Sequence, residues 1–385
     1  MALRHGFHYL ACFVFLFGII PSSAEDLSRP GTRPIAEDTV SAHVRIVTPA
    51  DLPGLTQRAA NNDPEAQCVL AVAFLQGTRL PRDDRESMKW LHRAADQGVA
   101  WVQNILGAMY HWGKGTSRDD KVAVKWFRRG AEEGDPRAAS NLAYMYLQGY
   151  GVRRDYKAAA KWYRFAAEQG HSEAQNNLGA MYHYGLGVPR DYSQARTWYL
   201  AAAQQGLPAA ASSLGVMFEK GLGVPQDYAE ALRWFEAAAA AGDPVAQAEL
   251  GKMYAEGRAV PRDYRLAADR VLKSAQQGFA PAQYFLGQLY SKGLGVPLDY
   301  VSAYAWFMIA SRGGHPYGKQ AADDLARIMT PTQRQSAEAR ILEQNQVMHK
   351  VATIFEMKGK AKGLVVKENP GAALEENLDE QSSGF

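Results

Sequence analysis

Through the middle of the chain, apolar and small residues return at helical spacing in short blocks, each closed by glycine. In "HSEAQNNLGAMYHYG", His171 to Gly185, residues Ala174, Leu178, Met181 and Tyr182 fall on one face. That is helical spacing; a strand would alternate. The next block, "DYSQARTWYLAAAQQG", opens on Asp191 in an N-cap position and aligns Ala195, Trp198 and Ala202 before Gly206, which predicts a second helix. The link between the two, "GLGVPRDY" from Gly185, returns as "GYGVRRDY" at Gly149, "GLGVPQDY" at Gly221, "GRAVPRDY" at Gly257 and "GLGVPLDY" at Gly293, always 36 residues apart. Two worn copies, "GTRLPRDD" at Gly77 and "GKGTSRDD" at Gly113, extend the series to seven without insertion or deletion. A fixed period of this length marks stacked units, each a pair of helices that cannot bury its apolar face alone.

Seven units therefore span residues 63–314, starting at Asp63, Val99, Asp135, His171, Leu207, Asp243 and Phe279. Some open on Asp-Pro, as at Asp135-Pro136 and Asp243-Pro244, an N-cap followed by proline in the first helical turn. The Gly-x-Gly of the link invites a phosphate-loop reading, but a dinucleotide fingerprint needs a third glycine and a preceding strand. Gly185 instead ends one helix in a left-handed conformation, Val188 and Pro189 connect, and Asp191 starts the next. The leucine row Leu70, Leu106, Leu142, Leu178, Leu214, Leu250 and Leu286 is predicted to be core. So is the tryptophan row Trp90, Trp126, Trp162, Trp198, Trp234 and Trp306, which Arg270 interrupts. Gly107, Gly179, Gly215, Gly251 and Gly287 each follow a row leucine, where a side chain would push neighbouring helices apart.

The flanks differ. Residues 50–62 contain "LPGLTQRAANN", the second half of a unit with Asn62 in place of the closing glycine, and serve as an N-terminal half-repeat cap. Residues 315–350 lose the Gly and Trp punctuation and restart at Thr330-Pro331, as expected of terminal capping helices that close a solenoid. Residues 351–385 run from "KGKAKG" to an acidic end and are expected to be a disordered tail. At the other end, residues 1–24 carry Arg4, an apolar run from Leu10 to Ile20 and small residues at Ser22 and Ala24, which reads as a signal peptide cut after Ala24. Residues 25–49 are expected to form a flexible leader. The mature chain is then expected in the periplasm or outside the cell, with no integral membrane segment.

A net charge of +3 in 385 residues gives no pull toward nucleic acid. Loss of Cys12 with the signal peptide leaves Cys68 as the single cysteine, so no internal disulfide forms and the thiol is expected to be inert. None of the common hydrolase, metalloprotease or dithiol motifs occurs. His111 and His183 share a phase two units apart, as do His171 and His315 four units apart. At the 8–10 Å spacing of packed helices neither pair shares a metal. No catalytic residue, cofactor or metal is expected.

The recurring Ala, Leu-Gly, Met-Tyr, Gly-x-Gly-Val, Asp-Tyr, Trp and Ala-Ala at period 36 closely resembles Sel1-like repeats, relatives of the tetratricopeptide repeat, across Asp63 to Gly314 and the "MTP" helix near Met329. The first unit departs most, with Ala71, Arg79 and Asp84, and the sixth departs at Ala259 and Arg270. The resemblance implies an all-α, right-handed α/α solenoid that binds other proteins, as an adaptor in envelope assembly, signalling or host contact. It also implies that the first-helix face opposite Leu178 lines a concave groove. That face carries Asn104, His111, Trp112, Tyr144, Asn176, His183, Tyr184 and Tyr284, aromatics and amides of the kind protein recognition favours. Isolated exposed apolar residues also occur without any function. The alternative to a polypeptide-binding scaffold is a cell-wall-directed enzyme or small-ligand binder with a site between repeats.

Overall fold

The computed structural model describes residues 51–77 and 81–362. The predicted signal peptide and leader lie outside the described residues, as does the end of the tail. The described chain is all helical. A short α1 (Leu52–Ala60) precedes seven pairs: α2 (Pro64–Gln76) with α3 (Asp84–Asp96), α4 (Ala100–Trp112) with α5 (Asp120–Glu132), and α6 (Pro136–Gln148) with α7 (Tyr156–Glu168). Then come α8 (Ser172–Tyr184) with α9 (Tyr192–Gln204), α10 (Pro208–Lys220) with α11 (Tyr228–Ala240), α12 (Pro244–Glu256) with α13 (Tyr264–Gln276), and α14 (Ala280–Lys292) with α15 (Tyr300–Arg312). A short α16 (Gly318–Ala326) and a long α17 (Pro331–Lys362) close the stack.

The boundaries follow from the caps. Each second helix starts on an aspartate, for example Asp191, whose carboxylate accepts from the Ser193 and Gln194 amides, satisfying amides that the helix itself leaves unpaired. Each first helix ends on a left-handed glycine, as at Gly185 with φ 70°. The second glycine of the link has another reason to be small. A Cβ on Gly187 would sit 2.1 Å from the Tyr156 carbonyl oxygen of the preceding unit, so the turn docks backbone to backbone. Asn62 takes the predicted left-handed place at the end of the half-repeat, φ 68°.

Helices of 13 residues are marginal alone and are held by stacking. The leucine row is buried as expected, Leu178 at 0% exposure. The tryptophan row is a partial correction. Trp90 and Trp306 are buried, but Trp126, Trp162, Trp198 and Trp234 are only half-buried. The fully enclosed phase is the next residue: Leu91, Phe127, Tyr163, Tyr199, Phe235, Val271 and Phe307. These side chains fill the space left by the small residue after the row leucine. A Cβ on Gly215 would lie 2.6 Å from the Phe235 ring, and one on Gly179 2.8 Å from Tyr199. The indoles lie at the margin of the core instead, some beneath cations such as Arg129 over Trp126.

A buried glutamine stitches successive units together. Gln67, Gln103, Gln175 and Gln283 each donate through Nε2 to a carbonyl in the last turn of the preceding second helix, Ala59, Ala95, Ala167 and Ala275, at 2.9–3.1 Å. Thirty residues on, Gln97, Gln205 and Gln277 donate back to Oε1 of Gln67, Gln175 and Gln247. For Gln103 and Gln283 the corresponding positions are Glu133 and Gly313, which have no side-chain donor, and their Oε1 atoms have no partner among the described residues.

First helices of neighbouring units touch directly, α4 with α6 and α10 with α12, which places them on the tight inner side of the stack. At the far end, α17 starts with a capping box in which Thr330 and Gln333 cap each other's backbone amides. It packs on α15 and reaches α13, bringing Ile341 and Met348 against Trp306 and Ile309. The expected break near Val351 is absent: α17 runs on to Lys362. Among the described residues no helix is long and apolar enough to cross a membrane.

Candidate binding face on the first helices

The residues singled out on the first-helix face do not stand free in solvent. Asn104, His111 and Asn176 are buried, with exposures of 0%, 4% and 6%, and Trp112, Tyr144, His183, Tyr184 and Tyr284 are half-buried. The expectation of an exposed strip is corrected. Where one first helix closely approaches the next, as α4 does α6, the face opposite the core is covered and a polar group on it can bond across to the neighbouring unit. Asn104 accepts from Nδ2 of Asn141 at 2.8 Å across that junction.

His111, Trp112 and Tyr144 are brought together at the junction of units 2 and 3. The His111 ring lies 4.8 Å from Trp112, 6.4 Å from Tyr144 and 5.7 Å from Tyr150, all centroid to centroid. Its Nδ1 donates to Oδ1 of Asp120 at 2.6 Å, and Arg118 holds the other oxygen of that carboxylate at 2.7 Å. Burial pushes His111 below the usual histidine pKa although Asp120 opposes it. Burial also raises Asp120, but the hydrogen bonds from Arg118 and His111 outweigh it and hold the carboxyl low. Tyr144 is driven up to about 12, chiefly by burial.

His183 and Tyr184 form the equivalent cluster two units on, with ring centroids 4.5 Å apart, and Tyr192 stands edge-on to His183 at 5.3 Å. Burial, then the nearby Lys220 and Arg190 cations, bring His183 down to about 4. Tyr284 belongs elsewhere. Its ring stacks on His315 at 4.1 Å and meets Phe307 at 5.3 Å, which makes it part of the C-terminal closure.

Five of the eight residues hold a buried polar atom with no hydrogen-bond partner among the described residues: Asn104 Nδ2, His111 Nε2, Asn176 Oδ1, His183 Nδ1 and Tyr184 Oη. Such atoms are costly to leave unpaired. The same face in units 5 and 6 is different. Where units 2 and 4 carry His111 and His183, unit 5 carries Glu219, bound by Arg258 at 3.0 Å; Lys252 holds Glu249 at 2.6 Å. Burial raises Glu219. Among the described residues no group of His, Cys, Asp and Glu is arranged to hold a metal. Cys68 is buried, and desolvation pushes its thiol up to about 12.

Sequence reading did not single out Asp120, Arg118, Tyr150, Arg190 or Tyr192. One signal was present: the worn link "SRDD" replaces the usual tyrosine after the N-cap with Asp120, and that residue is the one that reaches His111.

Comparison with known proteins gives the same frame. The Sel1 repeat model matches residues 64–99, 102–135, 136–171, 172–207, 208–243, 244–279 and 280–315. A Sel1 repeat protein from Oxalobacter formigenes, known from its crystal structure, is 33% identical with a TM-score of 0.58, over 78% of this chain and 89% of that one. The c5321 protective antigen of uropathogenic Escherichia coli, described as displaying an SLR fold, is 26% identical over 83% of this chain and 90% of its own, TM-score 0.31. The immunity protein Pa5087 of Pseudomonas aeruginosa is 21% identical over 60% and 83%, TM-score 0.39. These last two superpose too loosely to carry an argument. Among curated proteins no significant match was found. With seven consecutive matched repeats covering most of its length, and the helix pairs stacked as those repeats require, the chain belongs to the Sel1 repeat family.

Proposed function

We propose that the protein is an exported, non-catalytic scaffold that holds a polypeptide partner against the first helices of units 2 to 4. Sel1 repeats generally serve protein interaction, and the repeat frame supplies a continuous surface on which several weak contacts add. The observation that carries the choice of face is the run His111, Trp112, Tyr144, His183 and Tyr184, aromatic and half-buried or buried, in which His111, His183 and Tyr184 hold polar atoms without a partner among the described residues. Partly enclosed aromatics of this kind are preferred anchors in protein interfaces. The N-terminal stretch supports export to the periplasm or beyond; N-terminal sequencing of the protein recovered from a periplasmic fraction is expected to begin at Glu25.

Gln148 occupies the phase between Trp112 and Tyr184, so a photo-crosslinking side chain placed there reports on this face directly. A probe at Lys161, exposed on the second helix α7, reports on the outer face. Capture of one discrete protein in the parent cell from Gln148 and not from Lys161 supports the reading. Capture only from Lys161 moves the binding surface to the second helices, and turnover of cell-wall fragments by the purified protein would replace the scaffold reading with an enzymatic one.

A further inference from the structure

Unit 2 contains a completed version of a site that unit 4 leaves open. In unit 2 the carboxylate of Asp120 is bound on one oxygen by His111 Nδ1 at 2.6 Å and on the other by Arg118 at 2.7 Å. Seventy-two residues on, at the same phases, stand His183 and Arg190. The frame around them is the same. Both histidines precede a left-handed helix-ending glycine by two residues, Gly113 at φ 64° and Gly185 at φ 70°. A Cβ on either glycine would lie 3.2 or 3.4 Å from the backbone nitrogen of Arg118 or Arg190, so the two turns hold their arginines alike. The next helix opens from an equivalent cap, Asp119 at φ −144° and Asp191 at φ −148°.

The difference is the residue after that cap. Asp120 becomes Tyr192, which brings no carboxylate. Nδ1 of His183, the atom that in His111 binds Asp120, has no partner among the described residues. The exposed guanidinium of Arg190 lies over the Tyr192 ring at 5.5 Å and pairs with no described carboxylate. Lys220, from the next unit, adds a second positive charge that acts on His183. The neighbouring acids Glu219 and Glu249 pair with Arg258 and Lys252 and also act on Lys220, so the cation that remains for a ligand is Arg190. The Tyr184 ring, whose hydroxyl has no partner among the described residues, lies tilted against the imidazole at the phase where Trp112 stands edge-on to His111.

We propose that the polypeptide partner supplies the missing carboxylate: an acidic group of an extended peptide binds to Arg190 and, once the Tyr192 ring at the place of Asp120 turns aside, to His183, reproducing the contacts of Asp120 in unit 2. This rests on the scaffold reading and names the chemistry its partner must carry there. A charge-assisted pair of hydrogen bonds of this type is both strong and directional. Its source is a side-chain carboxylate or a chain terminus, and the test separates them.

The test uses the mature chain with nitrogen-labelled histidines, titrated with two short glycine-serine peptides: one with a single glutamate and an amidated end, the other with glutamine and a free C-terminal carboxylate. A saturable shift of the His183 ring nitrogens with the first peptide assigns a side-chain carboxylate; the same shift with the second alone assigns a chain terminus. Two variants keep the fold and remove the site. Tyr192→Asp installs the internal carboxylate already tolerated at Asp120, and Arg190→Gln places the residue that unit 5 carries at that phase, Gln226. Tyr192→Asp is expected to move the free His183 signals toward those of His111 and to abolish the response, and Arg190→Gln to weaken it at least tenfold. No response to either peptide, or a response unchanged by Tyr192→Asp, overturns the proposal. Partner capture at Gln148 that survives Tyr192→Asp overturns the carboxylate site and leaves the scaffold standing. A His183 response without any captured protein overturns the scaffold reading alone.

Discussion

Units 2 to 4 and units 5 and 6 present the same helices at the same phases, yet their inner faces are built from opposite materials. One half carries His111, Trp112, Tyr144, His183 and Tyr184, with several buried polar atoms unpaired among the described residues; the other carries Glu219, Glu249, Lys252 and Arg258, joined as Glu219 with Arg258 and Glu249 with Lys252. The comparison separates two kinds of position. Leucine, glycine and capping aspartate phases set the geometry in every unit, and the phases between them are free to differ. Where the free phases saturate one another the face is closed chemically; where they do not, buried polar atoms stay without a partner among the described residues, and that is the face proposed for binding.

The largest expected effect tests that common frame. Leu178→Ala in the aromatic half and Leu250→Ala in the charged half each remove a buried side chain, at 0% and 3% exposure. Each is expected to cost about 3 kcal/mol in urea unfolding, with closely similar values. A large disparity would mean that the two halves do not share one frame.

Acid sharpens the contrast next. His183 and His315 both fall to about 4 through burial from an ordinary 6.5. The unfolded chain therefore takes up protons at these sites before the folded chain does. Their neutral forms contribute stability that is complete above pH 6.5 and is lost as the pH falls toward 4, by at most about 1.4 kcal/mol per pH unit for each histidine. Thermal melts between pH 7 and 4 are expected to show this loss, and His183→Phe is expected to reduce it.

A smaller effect is expected at the ion pairs. Asp120→Asn is expected to cost about 1–2 kcal/mol, because the hydrogen bonds from buried His111 and from Arg118 lose the negative charge that strengthens them. Arg258→Gln, whose side chain is 40% exposed, is expected to cost less than about 1 kcal/mol. Equal values in chemical denaturation would show that burial does not distinguish the two halves. Smallest is the effect at Cys68, outside both halves: its buried thiol, pushed up to about 12, is expected to react with a thiol reagent only as fast as the first unit opens, without detectable labelling of the folded protein in the first minutes.

The frame was legible in the sequence because every unit repeats it. The 36-residue period, the aspartate caps, the left-handed glycines and the leucine row all stand where periodicity put them. The tryptophans misled in part, since a large apolar residue at a fixed phase marks packing without saying which edge stays wet; the enclosed position is the neighbouring Tyr199 or Phe235, chosen by the glycine opposite. The face was legible in outline and misjudged in exposure. Helical phase gives the direction of His111 and Asn104 from their own helix, but not how closely the next first helix approaches, and that approach buries them. The Asp120 contact joins residues nine apart across a turn, so phase within one helix could not reveal it. The glutamine ladder was missed for a similar reason: its bonds run between units, over separations of eight and thirty residues.

The most direct test of the account is the affinity of the captured partner for two double variants of the mature protein. Trp112→Ala with Tyr184→Ala removes half-buried aromatics from units 2 and 4, and Glu249→Gln with Lys252→Gln neutralises the ion pair of unit 6. Calorimetric titration is expected to show binding at least tenfold weaker for the first variant and within about twofold of the parent for the second, a spread of about 1.4 kcal/mol. Equal losses, or a larger loss in the charged half, would contradict the assignment of the aromatic half as the binding face.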